Sequence, residues 1–169
     1  MKQPSGLTLI DLLITIAIVS ITAGLTLPSL TQTLAESRAQ MYMKSLGRVI
    51  MYTRSYAITQ GHAVTICPLV GGKCKIDWSK NISVFIDRNM DRRKSQDERL
   101  LKVVDDPGQQ DYLTYPRRGI TYRPDGSING YHSGTFRYCP LTKTSEFSKG
   151  LVVNQAGRPR FRNKNIECK

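Results

Sequence analysis

Residues 7–27 read L-T-L-I-D-L-L-I-T-I-A-I-V-S-I-T-A-G-L-T-L, an apolar run broken by one charge, Asp11. As a helix rising about 1.5 Å per residue, the run covers roughly 30 Å, the depth of a bilayer's hydrocarbon core. It is therefore long enough to span. An ordinary secretory signal has a basic start and a small-residue cut site after a short apolar stretch. Here the start holds only Lys2, and the small residues Ser5-Gly6 precede the run; Ala23 alone keeps a later cut open. A lone carboxylate inside such a segment costs about 2.5–3.5 kcal/mol on insertion scales, so Asp11 demands a partner or a function.

The helix is expected to outlast the apolar run. Residues 29–60 have no proline, and Ala35, Ala39, Tyr42, Leu46, Val49, Ile50, Thr53 and Ala57 recur on one helical face. Glu36, Arg38, Lys44, Arg48 and Arg54 fall mostly elsewhere. Gly61 suits the C-terminal stop. Pro28 removes a backbone donor and predicts a kink. Beyond Gly61 the period changes. Segments 63–67, 82–86, 100–104, 120–123, 134–139 and 150–154 read as short strands, with another near 158–162. Pro124-Asp125-Gly126 and Gln155-Ala156-Gly157 are turn signals. The expected fold class is α+β, a long N-terminal helix packed on a small antiparallel β domain.

Four cysteines, Cys67, Cys74, Cys139 and Cys168, all follow the apolar run, and none forms a C-x2-C pair. The Cys67–Cys74 spacing is wide for a zinc knuckle. Their even number implies two disulfides and an oxidising compartment. Three pairings are open on paper. The favoured one joins Cys67 to Cys74 around a Gly-Gly loop and Cys139 to Cys168 at the C-terminus. Four buried free thiols are the other reading.

Gly6 followed by Leu7-Thr8-Leu9-Ile10-Asp11-Leu12-Leu13 resembles the class III prepilin signal of type IV pilins and type II secretion pseudopilins. Leu7 stands where that family usually has Phe, and Asp11 where it has Glu. The resemblance implies a prepilin peptidase that cuts between Gly6 and Leu7 and methylates the new N-terminus. It also implies assembly in which Asp11 meets a neighbouring subunit's terminal amine. V-T-I-C-P at 64–68, G-T-F-R-Y-C-P at 134–140 and L-V-V-N-Q-A-G-R-P-R at 151–160 are similar to the FimT/GspH group of minor pilins and pseudopilins. With that resemblance the expected layout is a leader, 1–6, and a transmembrane or filament-core helix, 7–28. An amphipathic continuation, 29–61, and a β-rich domain, 62–169, follow. The expected location is the inner membrane, single-pass, with the domain periplasmic, and then a type IV pilus. Pilin subunits, the peptidase and membrane lipid are the implied partners.

The chain is basic, with 25 Lys+Arg against 13 Asp+Glu and a formal charge of +12. Such a field favours acidic partners such as nucleic acid, anionic lipid or acidic polymer, without choosing among them. The charge is dense in G-R-P-R-F-R-N-K, 157–164. On a strand, alternate residues share a face, so Arg158, Arg160, Arg162 and Lys164 could form a row. Guanidinium groups bind phosphate in planar, often bidentate fashion, and such a row could track a nucleic-acid backbone without reading bases. Gly157 would permit a positive-φ turn and close backbone approach. Pro159 marks an edge or irregular strand. Two other readings stand beside this one: a charged edge that deters aggregation, and a packing surface between subunits. Gly157, Arg158 and Arg160 also match the G-R-x-R motif of FimT-type pilins, a resemblance that implies DNA binding in natural transformation. The rival within the group is a GspH-like pseudopilin or pilus-tip subunit without DNA binding.

Arg117, Arg118 and Arg123 form a second basic group. Tyr115, Tyr122 and Tyr131 could stack on bases, though strand packing is the commoner use. Asp87 to Glu98 has an EF-hand-like count of acids, but Arg92 replaces the required glycine and Arg88, Arg93 and Lys94 oppose a cation. It reads as a polar loop, so no metal is expected. His62 and His132 have no nucleophile at useful spacing, and no phosphate-binding glycine motif occurs. Neither an enzyme nor a cofactor is expected.

Overall fold

The computed structural model describes residues 8–162 and 166–168, the side chains of 24–29 excepted. The leader 1–6, the cut site Gly6-Leu7 and Lys164 lie outside the described residues. Helix α1 runs Leu9–Gln60. Thr8 caps it: its Oγ1 accepts from the Asp11 N–H at 3.3 Å, while Asp11 Oδ2 accepts from the Thr8 N–H at 3.1 Å and its hydroxyl at 2.7 Å. This is a capping box with aspartate in the reciprocal place. The helical assignment continues through Pro28. Gly61, at φ 64°, ends the helix.

The chain divides into two units, Met1–Ala35 and Glu36–Lys169. In the first, Leu9, Ile10, Leu12, Leu13, Ile16 and Val19 are each more than half exposed. Among the described residues no helix is long and apolar enough to cross a membrane. The stretch described with side chains, Thr8 to Ala23, is sixteen residues, about 24 Å against a ~30 Å core. The expected span also uses the side chains of 24–28, which lie outside the description.

Among its described residues, the second unit contains the rest of α1 and nine strands in two antiparallel sheets. Strands β1 (Val64–Val70), β2 (Lys73–Cys74), β3 (Ile82–Ile86), β4 (Leu100–Val103) and β6 (Ile120–Tyr122) form the first. β1 carries β3 on one side, and β6 and β2 in turn on the other. Strands β5 (Tyr112–Thr114), β7 (Gly134–Cys139), β8 (Lys149–Val153) and β9 (Pro159–Arg162) form the second, in the order β5-β7-β8-β9. The core gathers Ala39, Met43, Leu46, Ile50 and Ala57 of α1 with Val64, Ile66 and Val84 of one sheet and Phe136, Leu151 and Val153 of the other. Trp78 sits edge-on to Tyr115 and Phe136 at 5.4 and 4.9 Å between ring centroids, and its indole N–H donates to the Arg117 carbonyl at 2.8 Å. Two disulfides join Cys67 to Cys74 and Cys139 to Cys168.

Candidate nucleic-acid interface

The sequence 149–162 folds as a hairpin because Gly157 allows its turn. Its φ is 76°, its N–H donates to the Asn154 carbonyl at 2.9 Å, and Asn154 Oδ1 accepts from the Arg158 N–H at 2.9 Å. Gly157 is buried, and a Cβ there would come within 2.6 Å of Tyr122 Cε1. The Tyr122 hydroxyl donates to the Gly157 carbonyl at 3.1 Å. Gly157 thus has the positive φ expected of it, its close neighbour is Tyr122, and its backbone N–H is engaged within the turn. Gly157 sets the turn that presents Arg158.

Among the described residues β9 pairs only with β8, as an edge strand with Pro159 at its first position. The register puts Val153 opposite Pro159, Leu151 opposite Phe161, Val152 opposite Arg160 and Gly150 opposite Arg162. Leu151 is buried, and Phe161 reaches toward α1, where a Cβ on Gly47 would meet its Cζ at 3.3 Å. Arg160 and Arg162 therefore occupy the opposite, outer face. Both are exposed, as is Arg158. Among the described residues, no hydrogen bond or ion pair engages any of the three guanidinium groups.

The same face holds a residue that sequence reasoning missed. Arg137 is exposed on β7 between buried Phe136 and Tyr138, and Gly150 pairs with both Arg137 and Arg162. The two arginines stand in one cross-strand row, about 9–10 Å apart along the sheet. The C-terminal tail crosses between them: a Cβ on Gly150 would meet Ile166 Cδ1 at 2.6 Å, and Cys168 is tied to Cys139. The alternation in G-T-F-R-Y-C carried half the signal for Arg137; the sheet order carried the rest.

The other candidates separate. Arg117 Nε donates to the Tyr131 carbonyl at 3.1 Å, and Arg123 donates through Nε and Nη2 to Asn129 Oδ1 at 3.2 and 2.8 Å. Tyr115 and Tyr122 are buried, and burial pushes both phenols well above their ordinary pKa. Tyr131 is 89% exposed. In the 87–98 loop the acids serve the backbone. Asp87 accepts from the Thr65 hydroxyl at 2.6 Å and from the N–H groups of Asp91 and Arg92 at 3.1 and 3.2 Å. Glu98 accepts from those of Arg88 and Ser95 at 3.0 and 2.9 Å. Burial holds the Asp87 carboxyl above its usual range despite these donors. Among the described residues no cluster suited to a metal ion occurs.

Comparison with known proteins then places the chain. A family model described as type II transport protein GspH matches residues 43–157, well over half of its length. The chain belongs to the GspH family. No curated protein matches it in sequence. Among solved structures it is similar to the type IV minor pilin FimU of Pseudomonas aeruginosa, with a TM-score of 0.61 and 22% identity over 79% of this chain and 96% of that one. It is also similar to EpsH, a minor pseudopilin of the type 2 secretion system of Vibrio cholerae, with a TM-score of 0.54 and 12% identity over 74% and 96%. At these identities the likeness is one of fold, that of minor pilins and pseudopilins. The family match ends at Gly157, two residues before β9 begins at Pro159.

Proposed function

We propose that this protein is a minor pilin that binds DNA through its phosphate backbone, using Arg158, Arg160 and Arg162 with Arg137 beside them and Lys164 following. One observation carries the reading. Among the described residues, exposed guanidinium groups without a hydrogen-bond or ion-pair partner stand on an edge strand, just past the end of the family-model match. Their number predicts weak, sequence-tolerant and salt-dependent affinity. The test is a fluorescence-anisotropy titration of a DNA duplex with the full chain in non-ionic detergent. Arg158→Ala/Arg160→Ala is expected to weaken binding roughly tenfold and lower the salt slope by about 1.8. Unchanged binding would move the protein to the rival role, a GspH-like pseudopilin or tip subunit that contacts only other pilins.

The same proposal includes the anchor. Prepilin peptidase cleavage between Gly6 and Leu7 would leave a subunit whose apolar helix lies first in inner-membrane lipid and then among neighbouring pilins in a pilus. The outward apolar side chains of 9–21 support burial by one or the other. Asp11 then pairs with a neighbour's terminal amine in place of its Thr8 contacts. Mass spectrometry of the native subunit checks this: the expected mature chain starts at a methylated Leu7, and a start beyond Leu27 would remove the anchor.

A further inference from the structure

A second basic region lies on the other sheet. Lys73, Lys75, Lys80, Arg92, Arg93 and Arg118 line a cleft of about 660 Å3 beside the β1–β2 hairpin, together with Val70, Cys74 and Ile76. Among the described residues, two acids, Asp77 and Asp91, share its wall. Asp77 accepts from the Ser79 N–H and hydroxyl, contacts that hold its carboxyl below the usual range, and Asp91 accepts from the Arg93 N–H. Among the described residues, no salt bridge neutralises any of the six cations. Among the described residues, Arg92 makes the one side-chain hydrogen bond of the six, with His132, and Lys80 acts on Asp77 through its charge.

The walls are fixed. The Cys67–Cys74 disulfide ties β2 to β1. The Cys74 N–H donates to the Arg92 carbonyl at 3.2 Å, and the Lys94 N–H to that of Gly72 at 2.8 Å. The cleft also shares a border with the arginine hairpin. Gln155, in the β8–β9 turn, donates to the carbonyls of Ile128 and Gly130 at 3.2 and 2.6 Å. From the other side, Arg117 holds the Tyr131 carbonyl and Arg92 meets His132. The loop 128–132 thus stands between the two basic regions with the exposed Tyr131 ring on it.

We propose that this cleft is a second nucleic-acid site, one that takes a single strand. The inference rests on the reading that the ligand is nucleic acid. The cleft has the volume of a small-molecule site, roughly 300–1,000 Å3, room for part of one strand but not for the body of a duplex, which could only lie across its mouth. Pre-positioned cations follow the phosphates, and Tyr131 offers a face on which an unstacked base can lie.

The experiment compares a labelled twelve-nucleotide single strand with the matching duplex, using the full chain in non-ionic detergent across a salt series. The variant Lys73→Ala/Arg93→Ala/Arg118→Ala is expected to weaken single-strand binding roughly tenfold and lower its salt slope by about 2, with smaller loss for the duplex. Tyr131→Ala is expected to weaken single-strand binding severalfold with the slope unchanged. Should the alanine variant melt earlier than the parent, glutamine at the same positions carries the test. Single-strand binding that keeps its affinity and slope in the triple variant overturns the proposal. So does an equal loss for strand and duplex, or displacement by poly-glutamate as efficient as by unlabelled strand, which would make the cleft a protein-docking site. Arg158→Ala/Arg160→Ala in the same series separates the two claims. Loss of duplex binding there, with the cleft variant unaffected, sinks this inference alone. The converse sinks the hairpin as the site and leaves the cleft standing.

Discussion

The arginines of β9 and those around the 123–131 loop carry the same charge and do different work. Arg54 Nε donates to the Gly126 carbonyl at 2.9 Å, Arg117 to that of Tyr131 and Arg123 to Asn129. Each closes a loop whose backbone or amide would otherwise need water. Arg137, Arg158, Arg160 and Arg162 hold no such acceptor among the described residues. A net charge of +12 counts both kinds alike. Only the second kind keeps its donors for an external phosphate, because a guanidinium that already closes a loop must break that loop to bind elsewhere.

The largest effect that tests this division comes from the bond that seats the free arginines. Cys139→Ser/Cys168→Ser opens a link of sequence separation 29 and should cost about 3–4 kcal/mol in a denaturant titration on the chain-entropy account. It also releases the tail from between Arg137 and Arg162, so DNA affinity should fall with stability. The Cys67–Cys74 link, of separation 7, should cost about 2 kcal/mol and leave hairpin binding alone. If both losses affect duplex DNA equally, the two basic regions are not separate devices. Next in size is Gly157→Ala. The positive φ and the 2.6 Å approach to Tyr122 make it cost about 2–3 kcal/mol. A neutral outcome by thermal melting would show that the hairpin turn does not depend on Tyr122.

Arg54→Ala is the direct test of a loop-closing arginine. Losing a half-buried charged donor should cost about 1.5–2 kcal/mol, with the DNA salt slope unchanged. A lower slope with unchanged stability would place Arg54 among the binding groups and dissolve the comparison.

Much of this arrangement was legible in the residues. The helical period named seven buried positions of α1, from Ala35 to Ala57, because one apolar stripe faces one core; it missed Met43. All seven expected strands form within a residue or two, apart from β1, which runs on to Val70. β2 and β5 were missed, since two or three residues cannot display alternation. They exist because the Cys67–Cys74 link and the β7 edge hold them. The favoured cysteine pairing is the one found. The cleft was illegible for another reason: Lys73 and Arg118 lie 45 positions apart in the chain, and no local pattern joins them. Pro159 correctly announced an edge, but the edge's neighbours, and with them Arg137, needed the sheet order β7-β8-β9.

Arg137 therefore gives the smallest and sharpest prediction. Its side chain is exposed, and among the described residues it bonds to nothing, so Arg137→Ala should leave the melting temperature unchanged. If the outer face of the second sheet is one phosphate surface, the same variant should lower the salt slope for duplex DNA by about 0.9, the share of a single contact, and weaken affinity about threefold. If β9 works alone as a strand edge, Arg137 lies two strands too far in, and both numbers should stay at the parent's values. The choice between an edge and a face turns on the geometry of Gly150: because it has no side chain, Ile166, among the described residues, fills the space between Arg137 and Arg162. Ile166→Ala loosens the tail's seat on that row without removing a cation, so a face site should lose a little duplex affinity, as it does when the Cys139–Cys168 link is opened, whereas an edge-only site would ignore the change.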